Sequence, residues 1–428
     1  PMHESDDLKP TRRDFLRAAA ATSAVALSSD LRADQGRNMH VAVIGAGAFG
    51  GWTALHLLRR GARVALLDAW GPGNSRASSG GETRVIRAIY GPDGIYVKLA
   101  ARALALWREN EARWKRSLYH RTGVLWLAGN DDRYERAALP LLREHKIEFD
   151  ELSSQDAARR WPQISFQGVS WAIFEKDAGY LTARLACQAV VEGFRAEGGD
   201  YRELAVEPSA ISGGKLGGLK LSDGSTLAAD QYVFACGPWL GQLFPGVLGD
   251  LIQPSRQEVY FFGTPSGDAR FSEGAMPAWI DNGERIFYGI PGNQWRGFKL
   301  ADDSRGIAFD PTSGDRTPSV EGIAAARRYL KVRFPALGDP PLVEARVCQY
   351  ENARDGHFIF DRHPRASNAW LLGGGSGHGF KHGPSLGELA AATVLGEAQP
   401  EPFFSLSRFS TKSAADADFI NQKKQFEA

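Results

Sequence analysis

The clearest pattern in the chain begins at His40. Residues 40–44, His-Val-Ala-Val-Ile, are apolar and β-branched and read as a strand. The turn Gly45-Ala46-Gly47-Ala48-Phe49-Gly50 follows. Residues 51–60 are predicted to be a helix, with Leu55, Leu57 and Leu58 apolar and Arg59 and Arg60 at the end where cations complement the helix dipole. Gly61 stops it. A second strand, Arg63–Leu67, finishes at Asp68, completing a strand–turn–helix–strand unit.

Tyr96 to Trp114 repeats apolar residues at helical spacing through Leu99, Ala100, Ala103, Leu106 and Trp107. Lys215–Leu221 and Ser225–Ala228 flank Asp223-Gly224, a hairpin signal. Gln231–Ala235 is an apolar strand running into Cys236-Gly237-Pro238-Trp239. Arg256–Phe262, Arg285–Ile290 and Trp295–Leu300 read as strands of a second sheet. Ala369–Leu372 is a further strand that opens into Gly373-Gly374-Gly375-Ser376-Gly377-His378-Gly379, and a helix is expected from about Pro384. The tail after Ser405 is polar and is expected to pack loosely.

Composition adds limits. The 428 residues allow two or three domains and a large core without disulfides or metals. A net charge of +1, with scattered Lys and Arg, gives no field that favours nucleic acid. Cys187, Cys236 and Cys348 are too few for a disulfide framework or a thiolate zinc site. Arg12-Arg13 before Phe15-Leu16 and the apolar run Ala18–Leu27 resemble a twin-arginine export signal, so residues 1–39 are expected to be a signal and linker, and the protein periplasmic or secreted. That run is too short to span a bilayer, and no other segment carries 18 uninterrupted apolar residues.

The glycine turn has a physical task. Gly45 permits the tight turn, Gly47 lets the backbone approach a pyrophosphate, and Gly50 lets helix and strand pack closely. The helix N-terminus then faces the phosphate charge. Asp68 is placed to accept hydrogen bonds from an adenosine ribose. The motif by itself is equally consistent with NAD and FAD.

Three further stretches separate the two. They are Ser78-Ser-Gly-Gly-Glu-Thr-Arg-Val-Ile-Arg-Ala-Ile-Tyr-Gly91, then Cys348-Gln-Tyr350 with Asp355-Gly-His357-Phe-Ile-Phe-Asp361-Arg-His363-Pro364, and Gly375-Ser-Gly-His-Gly-Phe-Lys381. In this order the chain resembles the monomeric sarcosine oxidase and N-methyltryptophan oxidase family, from about residue 40 to about 400. The resemblance implies FAD, attached through Cys348 to the flavin 8α-methyl group. It implies that Arg87 and Lys381 hold a substrate carboxylate, that Tyr288 is on the substrate side, and that Arg84 is at the flavin face. It implies that Lys299 meets dioxygen and stabilises its reduced form by charge. Gly375, Gly377, His378, Gly379 and Lys381 would bring backbone amides and a helix N-terminus near the flavin pyrimidine.

Two positions depart from the family. Gly80 stands where sarcosine oxidases have a histidine near the flavin, and a glycine there is expected to open space. Asp303 stands where they have a histidine near the substrate amine, and an acid there favours a cationic group. His378 and His382 are four apart, but the glycines around them argue against a metal-binding helix.

The expected fold class is α/β, a Rossmann-type FAD-binding domain with a mixed-sheet substrate domain. Residues 40–118, 180–252 and 345–410 are expected to form the first, 119–179 and 253–344 the second, and 411–428 a tail. The expected activity is oxidation of the C–N bond of an amino acid, expected to be N-substituted, with dioxygen as acceptor and hydrogen peroxide as product. A dehydrogenase passing electrons to a quinone or carrier, a fructosyl amino acid oxidase and a non-catalytic flavoprotein remain alternatives.

Overall fold

The computed structural model describes residues 38–304 and 306–410. The paired-arginine segment, its apolar run and residues 411–428 lie outside the described residues.

The first strand, His40–Ile44, lies inside a six-stranded sheet. It pairs in parallel with Arg63–Asp68 on one side and with Gln231–Phe234 on the other. Asp200–Glu203 and Ala366–Gly373 extend the sheet in parallel, and Ile359–His363 closes one edge antiparallel. Such a sheet must be covered on both faces, which is why its central strands read as unbroken apolar runs. The helices Ala48–Arg59 and Gly383–Val394 cover one face. They approach closely at Gly387, where a Cβ would lie 2.7 Å from the Trp52 backbone.

The second sheet has eight strands and is mixed. Its order is Leu342–Ala353, Ile252–Phe262, Phe298–Asp302, Ile286–Ile290, Ala278–Asn282, Val124–Ala128, Trp171–Glu175 and Phe149–Ser153. A three-stranded sheet, Arg84–Ile86, Gly179–Leu181 and Tyr119–His120, is built from short antiparallel strands. The long strand Leu342–Ala353 carries Cys348 and Tyr350 two residues apart, so both point to the same side of it.

Several boundaries differ from the pattern, each for a local reason. The first helix starts at Ala48, so Gly50 lies within it. The expected strand Trp295–Leu300 begins only at Phe298. Trp295 has a φ of 60° and is fully exposed, and Gly297 turns the chain with a φ of 85°. Lys215–Leu221 is two short strands, because Gly217-Gly218 interrupts it. The chain after Ser405 is tied down as far as Ser410. Arg408 pairs with the buried Asp355 at 2.6 Å, and Ser405 donates to Asp361 at 3.0 Å.

Candidate active site

A cavity of about 400 Å³ opens at the C-terminal ends of the central parallel strands, the usual ligand position in such sheets. The glycine turn forms one wall. Gly45 has a φ of 103°, and a Cβ on it would lie 2.3 Å from the Ala235 carbonyl oxygen. A Cβ on Gly50 would lie 1.8 Å from the Gly45 oxygen, so strand and helix touch through backbone alone. Asp68 fixes this turn: one carboxylate oxygen accepts from the Ala46 N–H at 2.8 Å and the other from Trp70 N–H at 2.9 Å. Burial raises the Asp68 carboxyl above its ordinary range, and the N–H donors oppose that rise. Gly47 caps the helix without a side chain, leaving the approach to the helix N-terminus open. These features fit a dinucleotide.

The opposite wall is made by Arg84, Tyr350, Glu351, Gly375, Gly377, Gly379 and Phe380. A second, smaller cavity of about 50 Å³ shares Arg84, Gly377 and Phe380 with the first. Arg87, Trp126, Tyr288, Asp303, His378 and Lys381 also line it, with Val85, Ile280 and Ile286.

Arg87 and Lys381 are not solvated surface cations; they are 7% and 5% exposed. The Arg87 guanidinium lies 4.5 Å from the Tyr90 ring and 4.9 Å from the Trp126 ring, and it donates to the Ile89 carbonyl. Lys381 Nζ donates to the Tyr90 hydroxyl at 2.9 Å and to the His378 carbonyl at 2.8 Å. Burial, with Arg87 nearby, holds the Lys381 ammonium well below the usual lysine range. Behind them, Glu175 accepts the Ala88 N–H at 2.9 Å, and burial pushes its carboxyl to about 7. Asp303 is half-buried and accepts the Tyr350 hydroxyl at 2.5 Å. Its confinement raises its carboxyl to about 6, although Arg87 and Lys381 pull the other way.

Lys299 is 1% exposed and donates to the Thr83 carbonyl at 2.8 Å. Its Nζ lies 5.4 Å from the Tyr288 ring. Burial, then the Arg84 charge, lowers its pKa well below the ordinary value. Arg84 donates to the Ser78 carbonyl at 2.5 Å and to Cys348 Sγ at 3.4 Å. The half-buried Cys348 therefore lies beside two residues of the main cavity wall, Ser78 and Arg84.

Gly80 does not open space. A Cβ there would lie 1.9 Å from the Asn74 carbonyl oxygen, so the backbone turn itself excludes a side chain. His378 and His382 both reach the Tyr90 hydroxyl, at 3.2 and 2.7 Å. Among the described residues, no group of three or more His, Cys, Asp and Glu is gathered for a metal. Tyr90, Glu175 and Glu351 carry site contacts that the sequence did not single out. Tyr90 and Tyr350 stand inside the family-like stretches, which was the available signal; Glu175 and Glu351 had none.

The fold and its crevice define a dinucleotide-binding protein. Residues 40–393 match the FAD dependent oxidoreductase family, and the chain belongs to that family. It is 31% identical over 390 residues to the monomeric sarcosine oxidase of Bacillus sp. (strain B-0618), covering 87% of this chain and 97% of that protein. It is 30% identical over 379 residues to the N-methyl-L-tryptophan oxidase of Salmonella enteritidis PT4 (strain P125109), covering 86% and 98%. The fold is shared with L-proline dehydrogenase from P. horikoshii, at a TM-score of 0.75 and 20% identity over 87% of this chain and 98% of that one. It is also shared with fructosamine oxidase (Amadoriase II) from Aspergillus fumigatus, at a TM-score of 0.73 and 22% identity over 86% and 90%.

Proposed function

We propose that this FAD-dependent oxidoreductase oxidises the C–N bond of an amino acid substituted on its nitrogen, with dioxygen as acceptor and hydrogen peroxide as product. The observation that carries this reading is the small cavity where buried Arg87 and Lys381 stand with Asp303 beside the glycine-lined crevice. Arg87 supplies a planar fork for the substrate carboxylate, and Lys381 a point charge. Asp303 attracts the cationic amine and takes its proton, since a carboxyl near 6 is ionised at neutral pH. Tyr288 and Trp126 shape the apolar wall. FAD supplies the two-electron chemistry, and the protein places the C–N bond and excludes water. Two electrons and two protons leave the amine to give an imine, and dioxygen accepts them. Water then splits the imine into a carbonyl compound and an amine. Lys299 offers positive charge to the oxygen as it is reduced.

In the same reading Cys348 holds the cofactor as a thioether at the 8α-methyl carbon. Forming that link would exchange one S–H and one methyl C–H bond for a C–S bond, with the two hydrogens passing to dioxygen to give hydrogen peroxide. Arg84 donates to the sulfur at 3.4 Å and so holds it beside the wall of the main cavity. Arg12 and Arg13 ahead of the apolar run support export, to the periplasm or out of the cell.

The test is an anaerobic screen of amino acids and N-alkyl amino acids for flavin bleaching, followed by admission of air. The expected result is bleaching by a carboxylate-bearing amine and rapid recovery of colour with peroxide release. Bleaching that is unchanged in Arg87→Ala and Lys381→Ala overturns the carboxylate assignment. Slow recovery in air shows a carrier-linked dehydrogenase instead. A colourless acid-precipitated pellet overturns the Cys348 linkage.

A further inference from the structure

Glu351 is a buried acid with half of its hydrogen-bonding capacity unused. It is 7% exposed and belongs to the wall of the main cavity. Its Oε1 accepts the Gly375 N–H at 3.1 Å, and Oε2 is buried with no partner. Among the described residues no ion pair reaches it. Burial raises its carboxyl to about 7, opposed only by the N–H groups of Gly374 and Gly375. A buried carboxylate oxygen without a donor is costly, so a donor from the bound ligand is the natural complement.

Three glycines border the carboxylate. A Cβ on Gly375 would lie 2.9 Å from Oε1, one on Gly373 3.3 Å from Oε2, and one on Gly237 3.9 Å from Oε2. The position along the crevice is fixed by neighbours. Glu351 follows Tyr350, whose hydroxyl donates to Asp303 of the smaller cavity. On the other side it faces Gly237, which follows Ala235 and Cys236, the residues packed against the Gly45 turn. Cys236 feels the charges of both Asp68 and Glu351. Glu351 thus sits between the pyrophosphate turn and the ring end. The part of FAD that joins pyrophosphate to ring is a chain of neutral hydroxyl groups. A pyrophosphate oxygen offers only acceptors and negative charge, and would repel the carboxylate.

We infer that Glu351 binds the ribityl chain of FAD, its Oε2 accepting a hydrogen bond from one ribityl hydroxyl. Glu351 is then a cofactor-positioning residue specific to the polyol. The inference rests on FAD binding and is independent of which amine is oxidised.

The test is equilibrium binding to deflavinated full-length protein in a Cys348→Ala background, so that binding is reversible. FAD is compared with its 2′-, 3′- and 4′-deoxyribityl analogues and with ADP, on Glu351, Glu351→Gln and Glu351→Ala proteins. A hydrogen bond to a charged group corresponds to about a tenfold change in Kd. One deoxy analogue is expected to bind the Glu351 protein about tenfold more weakly than FAD, with the penalty shrinking in both variants. ADP, which lacks the ribityl chain, should bind all three alike. The inference is overturned if no analogue is penalised on the Glu351 protein, which is decisive even where a variant fails to fold. It is also overturned if the penalty persists in the variants, if ADP is weakened as much as FAD, or if the variants bind FAD more tightly. The last result would place the carboxylate against the pyrophosphate.

Discussion

Lys381 Nζ donates to the Tyr90 hydroxyl at 2.9 Å, joining residues 291 positions apart. An ammonium can only donate, so the tyrosine oxygen accepts. His378 Nε2 faces the Gly356 carbonyl at 3.2 Å and must carry the proton there. Its Nδ1, 3.2 Å from Tyr90, is then the acceptor for the tyrosine proton. Burial lowers the pKa of His378 and of His382, so both rings are neutral. His382 Nε2 can donate to the second lone pair of Tyr90 at 2.7 Å. Tyr90 thereby sets where the Lys381 charge points. Tyr90→Phe removes that acceptor and should raise KM for a carboxylate substrate about tenfold, the usual size for one such hydrogen bond. Steady-state kinetics on an amino acid and its amide checks this, because the amide should be far less affected.

Asp303 should give the substrate affinity an acid limb. Its carboxyl titrates at about 6, above the ordinary value, because burial outweighs the nearby cations. Above that pH it is ionised and attracts the amine. Below it the carboxyl is neutral, and the cations Arg87 and Lys381 repel the amine without compensation. KM for the amine is therefore expected to rise as pH falls from 7 to 5. Asp303→Asn should raise KM at pH 7 by about tenfold and remove that limb. A KM profile of the Asn variant that still bends near 6 assigns the titration to another group.

The legible parts of this site were those whose chemistry is local in sequence. Gly45, Gly47, Gly50 and Asp68 fall within one strand–turn–helix–strand unit, where each residue type answers a backbone requirement. Arg87, Tyr288, Lys299, Cys348 and Lys381 have no such local signature, and only the ordered resemblance to a family singled them out. The structure brings Arg87, Tyr288 and Lys381 to one cavity and Lys299 to the Tyr288 ring. Tyr90, Glu175 and Glu351 escaped because their partners are made by folding. Ala88 meets Glu175 across 87 residues, and Gly375 meets Glu351 from the next-but-one strand end. The strand error at Trp295 came from an apolar residue that turned out to be wholly exposed in a turn.

Gly80 shows how the same residue type can be misread. A substitution pattern cannot distinguish a glycine that leaves room from one that has none. Here the ideal Cβ falls 1.9 Å from Asn74 O and 3.1 Å from Ala77 O, both backbone atoms that cannot swing aside. Gly80 N–H also donates to the Ala77 carbonyl at 2.9 Å, and its own carbonyl accepts from Arg184 at 2.8 Å. A histidine at this position should therefore damage the turn rather than the chemistry. Gly80→Ala is expected to cost about 1–3 kcal/mol of stability and Gly80→His more. Thermal unfolding of the holoprotein measures this. Variants as stable as the parent would show that the segment 74–80 rearranges freely.

Lys299 tests the oxidase reading most sharply, because reduction and reoxidation separate in time. Its ammonium is buried, held by Thr83 O at 2.8 Å, and lies on the strand next to Tyr288. Charge on a buried group acts through a low dielectric, so its removal should be felt strongly where negative charge develops on dioxygen. Lys299→Met keeps the length and burial of the side chain and removes only the charge. Reoxidation of reduced enzyme in air should slow by about a hundredfold or more, the size seen when one electrostatic stabiliser is lost. Anaerobic bleaching by substrate should change far less, since no negative oxygen forms in that half of the cycle. The pH sign follows from the lowered pKa of Lys299. Its positive charge is present below that pKa, so reoxidation by the parent should decline with rising pH earlier than an ordinary lysine would allow. The Met variant should show no such decline. Stopped-flow measurement of the two half-reactions reads both effects, and equal slowing of both would move Lys299 from oxygen chemistry to cofactor placement.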